Sequence, residues 1–193
     1  MSTSDTADRI AAAALKILNT EGAKAVTMRR VAADAGVTTM ASYRHFPNRE
    51  TLLRTVADNA FAELGKSWVQ RDRIEDFDER LSANLTDFLD FALGQPNLYT
   101  FLLTDRREGS RQFPQGYGGD RSPAFAPLLS TVEQGIRDGR LSPDDPLEVT
   151  LAIASTGMGL VDLYLGGRIG LPEPEFRALC LRTAERVLNG CRP

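Results

Sequence analysis

Apolar positions recur along most of the chain at three- and four-residue spacing, the period of a helix with one buried face. Ile10, Ala14, Ile17 and Leu18 make the first such face, and Gly22 follows as its stop. Thr27 is a candidate cap for a short second helix, MRRVAADA, ending at Gly36; Thr38 is the same for a third, TMASYRH, closed by Pro47. Asn48 then caps a longer helix with Leu52, Leu53, Val56, Ala60, Phe61 and Leu64 on one side. Leu81, Leu85, Phe88, Leu89 and Ala92 line a fifth, which ends at Gly94, and Pro96 opens a sixth, PNLYTFLLTD. The stretch RREGSRQFPQGYGGDRSP is rich in Gly, Pro and Arg and is expected to be a long surface loop, with Glu108–Arg121 as a candidate lid or a plain connection. Ser122 and Pro123 are expected to cap and start a seventh helix running to Gly139. Asp145, Pro146 and Glu148 form a capping box for an eighth, ended by Gly166 and Gly167. Pro174 starts a ninth, with Phe176, Leu179, Cys180, Thr183 and Val187 along one face. No run alternates long enough for a sheet, so the fold class expected is all-α.

Two short helices joined at Gly36 are the helix-turn-helix arrangement. Val31, Ala32 and Val37 supply small apolar packing, and Gly36 the positive φ that such a turn needs. The second of the pair, Val37 onward, carries hydroxyl, aromatic and basic groups where a packing helix would carry an apolar stripe. Such a helix can lie in a DNA major groove with its N-terminal residues on base edges. Thr38, Thr39, Met40 and Ser42 are short and near its start, suited to base edges and thymine methyls. Thr27, Tyr43, His45 and Arg49 are placed for phosphate oxygens, Asn48 exposes N–H groups at the next helix start, and Arg30 and Arg44 fit either role. Phe46 is assigned to the core, and Tyr43 is divided between packing and a phosphate bond.

Charge sharpens this picture modestly. The chain carries −3 overall, but residues 1–54 carry +3 and the remainder −6, a cationic head on an anionic body. His45 is the single histidine, and no paired carboxylates, nucleophile with base, metal cluster or phosphate loop appears, so neither an enzyme nor a cofactor or metal is expected. The first residues show no signal segment, and the apolar run around residues 147–167 is broken by Thr150, Ser155, Thr156 and Asp162, so it reads as a buried helix and the location as cytoplasmic, with no membrane partner. Asp162 among apolar neighbours is expected to need a partner, either a cationic or hydrogen-bonding ligand or, preferably, Arg182 or Arg186. Gly157 and Gly159 on the same helix would let a facing helix approach closely, as at a dimer interface. Cys180 and Cys191 lie about 16 Å apart along one helix, too far to bridge, and are expected to be reduced thiols.

The segment TMRRVAADAGVTTMASYRHFPNRETLL resembles the DNA-binding segment of TetR-type (TetR/AcrR) transcriptional regulators, and DRIAAAALKILNTEGAKAV matches that family's opening helix. The resemblance implies an N-terminal three-helix DNA-binding domain at 1–50 and a helical domain at 51–193 for ligand binding and dimerisation. It implies a homodimer on operator DNA, most simply a repressor, released by a small-molecule effector. Helices four to seven would enclose the ligand, with Trp68, Phe88, Phe91, Tyr99 and Leu102 assigned to the pocket and core packing as the alternative for each. Helices eight and nine would form the dimer interface, with Gly157, Gly159, Asp162, Phe176, Thr183 and Val187. The chain departs from the family in three ways. It has Arg49 where Lys is usual, Ser42 where an apolar residue is usual, and no basic tail for a minor-groove arm. A helical ligand-binding or protein-interaction module without specific DNA binding is the alternative.

Overall fold

The computed structural model of the chain describes residues 3–68, 74–106, 110, 112–117, 122 and 124–193, and among these every regular element is helical. The elements are α1 (Thr3–Glu21), a 3-10 turn (Ala23–Ala25), α2 (Met28–Asp34), α3 (Thr39–His45), α4 (Arg49–Trp68), α5 (Phe77–Gly94), α6 (Pro96–Tyr99), α7 (Ala126–Arg137), α8 (Pro146–Leu165) and α9 (Glu173–Asn189). Thr100–Thr104 continue α6 as a wide π turn, closed by the Asp105 N–H donating to the Thr100 carbonyl at 2.8 Å.

Two compact units emerge: residues 1–63 with 95–110, and residues 64–94 with 111–193. In the first, α1 packs on α2, α3 and α6. Ile10, Ala14, Ile17 and Leu18 are buried to 2% exposure or less, together with Val26, Val31 and Ala32. Helices as short as α2 and α3, seven residues each, are marginal on their own. Side-chain caps worth about 1 kcal/mol each supply part of what they lack. The Thr27 hydroxyl accepts from the Arg30 N–H at 3.3 Å and that of Thr38 from Ala41 at 3.1 Å. Asn48 Oδ1 accepts from Thr51 at 2.7 Å and so starts α4. Asn97 Nδ2 donates to the Asn19 carbonyl at 2.9 Å, fastening α6 to the end of α1.

The second unit is a bundle of α5, α7, α8 and α9 around Phe77, Leu81, Val132, Leu141, Val149, Ile153 and Leu188. At Gly135 α7 approaches α5 closely: a β-carbon there would fall 2.5 Å from the Phe77 ring. Asp145 caps α8, accepting from the N–H groups of Leu147 at 2.8 Å and Glu148 at 3.3 Å. Phe176, fully buried, stacks on Tyr164 with ring centroids 4.0 Å apart, tying α9 to α8. Cys180 is buried and Cys191 half-buried, and both are free thiols. Burial pushes the Cys180 thiol up to about 11, so it is inert as a nucleophile near neutral pH.

Two expectations are corrected, for the seventh and the eighth helix. The seventh helix begins at Ala126, not at Ser122, because the Ser122 carbonyl accepts from both the Phe125 and Ala126 N–H groups and so forms a preceding turn; Pro123 lies outside the described residues. Half of the Gly/Pro/Arg-rich stretch, including Glu108 and Arg121 at the ends of the candidate lid, also lies outside them; residues 112–117 are turned, with Phe113, Tyr117 and Phe125 in consecutive edge-to-face contact. Finally, α8 is long and apolar enough by length and composition to cross a membrane, yet only 28% of its apolar window is buried within the chain. It is apolar nearly all round, so packing on α5, α7 and α9 uses one side and leaves Leu163 and Leu165 exposed, as Leu181 is on α9.

Candidate nucleic-acid interface

The turn between α2 and α3 is built by backbone geometry. Gly36 sits at φ +66°, and the N–H groups of Gly36 and Val37 donate back to the carbonyls of Ala33 and Ala32, the paired bonds of a Schellman ending. That ending satisfies carbonyls at the end of α2 and turns the chain directly into α3. Of the α3 residues only Ser42 is buried, and Phe46 just beyond it anchors the helix end. A helix held by so little faces outward along most of its surface.

What it shows outward matches a reading surface. Thr38, Thr39, Met40, Tyr43 and Arg44 are all exposed, Met40 to 68% and Tyr43 to 47%. An exposed thioether beside two hydroxyls offers one apolar and two hydrogen-bonding contacts, the combination that distinguishes base edges. Thr38 remains available to donate its hydroxyl hydrogen, since the cap uses only its oxygen. His45 is half-buried near the end of α3, and Asn48 is exposed at the start of α4.

Two residues expected at this surface are elsewhere. Ser42 has no exposed surface, and its hydroxyl donates to the Thr39 carbonyl at 2.8 Å, so it packs beneath α3 and cannot reach a base. Arg49 folds back on the chain: Nε donates to the Val26 carbonyl at 2.7 Å and Nη2 to that of Ala23, so it is not extended toward a phosphate. Arg30 is at the surface but forked onto Glu21, whose Oε2 lies 2.7 Å from Nη1 while Oε1 takes Nη2. Those hydrogen bonds hold the Glu21 carboxyl below the usual carboxylate range and raise Arg30 above its own. A phosphate would have to displace Glu21 to use Arg30. Arg29, which sequence reasoning passed over, is exposed on α2 and enters no ion pair among the described residues. Neighbours on a helix point about 100° apart, and the sequence does not say which of the two faces Glu21.

The positions assigned to a pocket are divided between the two units. Trp68 and Phe91 meet edge to face with centroids 6.1 Å apart, and Phe88 lies beside the Gly157 position, all in the second unit. Tyr99 and Leu102 are buried in the first unit, Tyr99 completely. Of the positions assigned to a dimer interface, Gly157 and Phe176 are already covered by the chain itself: Gly157 faces Phe88 and Leu85, and Phe176 stacks on Tyr164. Thr183 and Val187 are half-buried, and Gly159 and Asp162 are exposed on α8. Because Asp162 is exposed, its charge carries no burial penalty.

A capped two-helix turn presenting an exposed second helix, in an all-helical chain of two units, defines a helix-turn-helix protein. Residues 10–56 match the model of bacterial regulatory proteins of the tetR family, and residues 81–187 match that of the tetracyclin repressor-like C-terminal domain. The chain belongs to the TetR family. Among similar proteins, the HTH-type transcriptional repressor DrrR1 of Streptomyces coeruleorubidus is 43% identical over 53 residues. That match takes in 28% of this chain and 20% of the other protein, so the chain spans about one-fifth of that relative. A protein of unknown function from Rhodococcus sp. RHA1 superposes with a TM-score of 0.78 at 20% identity, over 97% of this chain and 96% of its own. The transcriptional regulator FadR from Bacillus subtilis, in complex with stearoyl-CoA, does so with a TM-score of 0.75 at 17% identity, over 96% and 99%. At these identities the two structures share the fold alone.

Proposed function

We propose that the chain is a ligand-responsive transcriptional regulator that binds a pseudo-palindromic operator as a homodimer, acting as a repressor released by a small molecule. The observation that carries this reading is the exposure of Thr38, Thr39, Met40 and Tyr43 on a helix whose burial is confined to Ser42. In the proposal α3 enters the major groove with Thr39 and Met40 on base edges. Tyr43, Arg44 and the capped start of α4 at Asn48 meet phosphates. The reading head is residues 1–50, and residues 51–193 bind the effector and the second copy. The leucines left open on α8 and α9 support a helix-pair interface between copies, with Gly159 allowing close approach. A regulator of this fold holding stearoyl-CoA supports a small-molecule effector, without indicating which one this chain takes.

Fluorescence anisotropy with DNA flanking the protein's own gene, against a scrambled duplex at 50 and 200 mM salt, tests the proposal. Six to ten phosphate contacts cost about 10³–10⁵ in affinity across that range. Strong, salt-steep binding to the native duplex is expected. Absent or salt-independent binding to both duplexes would favour a helical module that recognises some other partner.

A further inference from the structure

Two arginines of the reading head make long-range hydrogen bonds to backbone carbonyls. Besides Arg49, α1 contributes Arg9, whose Nη2 donates to the Ala35 carbonyl at the C-terminal end of α2 and lies 3.2 Å from where a β-carbon on Gly36 would sit. Arg49, the first residue of α4, holds the Ala23 and Val26 carbonyls, which flank the turn leading into α2. One arginine therefore fixes the chain just before α2 and the other fixes it just after. The α2–α3 turn itself is closed by backbone bonds, so holding both ends of α2 also sets the direction in which α3 leaves.

We propose that Arg9 and Arg49 are positioning residues of the reading head: their guanidinium groups are taken up by backbone carbonyls at the two ends of α2, and they act on DNA recognition through the orientation of α3, not through phosphate. The planar fork suits this task, since Nε and Nη2 of Arg49 point to two acceptors at once, which a lysine ammonium on a flexible stem does not reproduce. Charge-assisted bonds of this kind are about twice as strong as neutral ones, and α2 has only seven residues with which to resist reorientation.

The inference rests on the proposed DNA binding, and the test keeps the two apart. A duplex selected from a random pool by the wild-type protein is titrated against wild type, Arg49→Lys, Arg49→Met and Arg9→Met over a range of salt, together with amide hydrogen exchange of each free protein. The expected result is a tenfold or greater loss of affinity for the selected duplex in all three variants, with the salt slope unchanged, no rescue by lysine, and faster exchange in α2. Binding to a scrambled duplex should change little, because that binding depends on phosphate contacts. If Arg49 contacts phosphate instead, Arg49→Lys will bind as wild type and Arg49→Met will lower the slope by about 0.9 per head; that outcome overturns the proposal. Arg49→Lys keeps the charge and most of the side chain, so it decides the matter even if the methionine variants unfold. Should wild type show no salt-dependent DNA binding, the functional reading fails, and exchange still decides the clamp: unchanged α2 protection in Arg49→Lys would overturn it.

Discussion

Replacing Tyr43 by alanine is expected to weaken binding to every DNA duplex roughly a hundredfold, without changing which duplex is preferred. Tyr43 is 47% exposed on α3, so about half of the residue is open to a partner. A hydrogen bond from a neutral hydroxyl to a charged phosphate contributes about 1.5 kcal/mol or more. Two heads double that to about 3 kcal/mol, which at 1.4 kcal/mol per decade gives the factor stated. Tyr43→Phe separates the contributions, because it keeps the ring and removes only the hydroxyl, and it should reproduce most of the loss. Anisotropy titrations with selected and scrambled duplexes check both variants. A Tyr43→Phe protein that binds as wild type would remove the hydroxyl from the interface and reduce Tyr43 to a packing residue.

Phe176→Ala should have the largest effect on stability, about 3–5 kcal/mol. Its side chain is fully buried and stacked on Tyr164, so truncation removes the transfer energy of the ring, leaves a cavity and breaks the aromatic pair between α8 and α9. The loss is large beside the total stability of about 5–15 kcal/mol typical of a domain. Trp68, the single tryptophan, lies against Phe91 in the same unit and reports the transition by fluorescence during denaturant titration. A loss under about 1 kcal/mol would mean that α8 and α9 are held together mainly from outside the chain, by the second copy, and that Phe176 contributes little.

The sequence disclosed those parts of the fold that are set by neighbours along the chain. Thr27, Thr38, Asn48 and Asp145 cap helices through atoms two or three residues away, and Gly22 and Gly36 adopt the positive φ that ends a helix, so local chemistry was enough to find them. Arg49 is different. Its acceptors lie 23 and 26 residues back, and a basic residue at a helix start is equally consistent with a phosphate contact until the fold shows its fork turned inward. Ser42 followed the same logic, because a hydroxyl among hydroxyls reads as surface, whereas its placement one turn before Phe46 puts it under the helix. The apolar length of α8 was evident, but periodicity could not divide it into a face for its own chain and a face left open, since nearly every face is apolar. Among the aromatics, composition does not distinguish a side chain that lines a cavity from one that fills a core, and Tyr99, completely buried in the first unit, illustrates how little a residue type says about its surroundings.

The central claim is that α3 reads DNA sequence, and selection from a random duplex pool tests it most directly when wild type and Thr39→Ala are run in parallel. The account predicts that wild type enriches an inverted repeat with half-sites about one DNA turn, ~34 Å, apart, and that Thr39→Ala enriches a repeat of the same spacing altered at matching positions in both halves. Identical enriched sequences from the two proteins, or no inverted repeat from either, would contradict it.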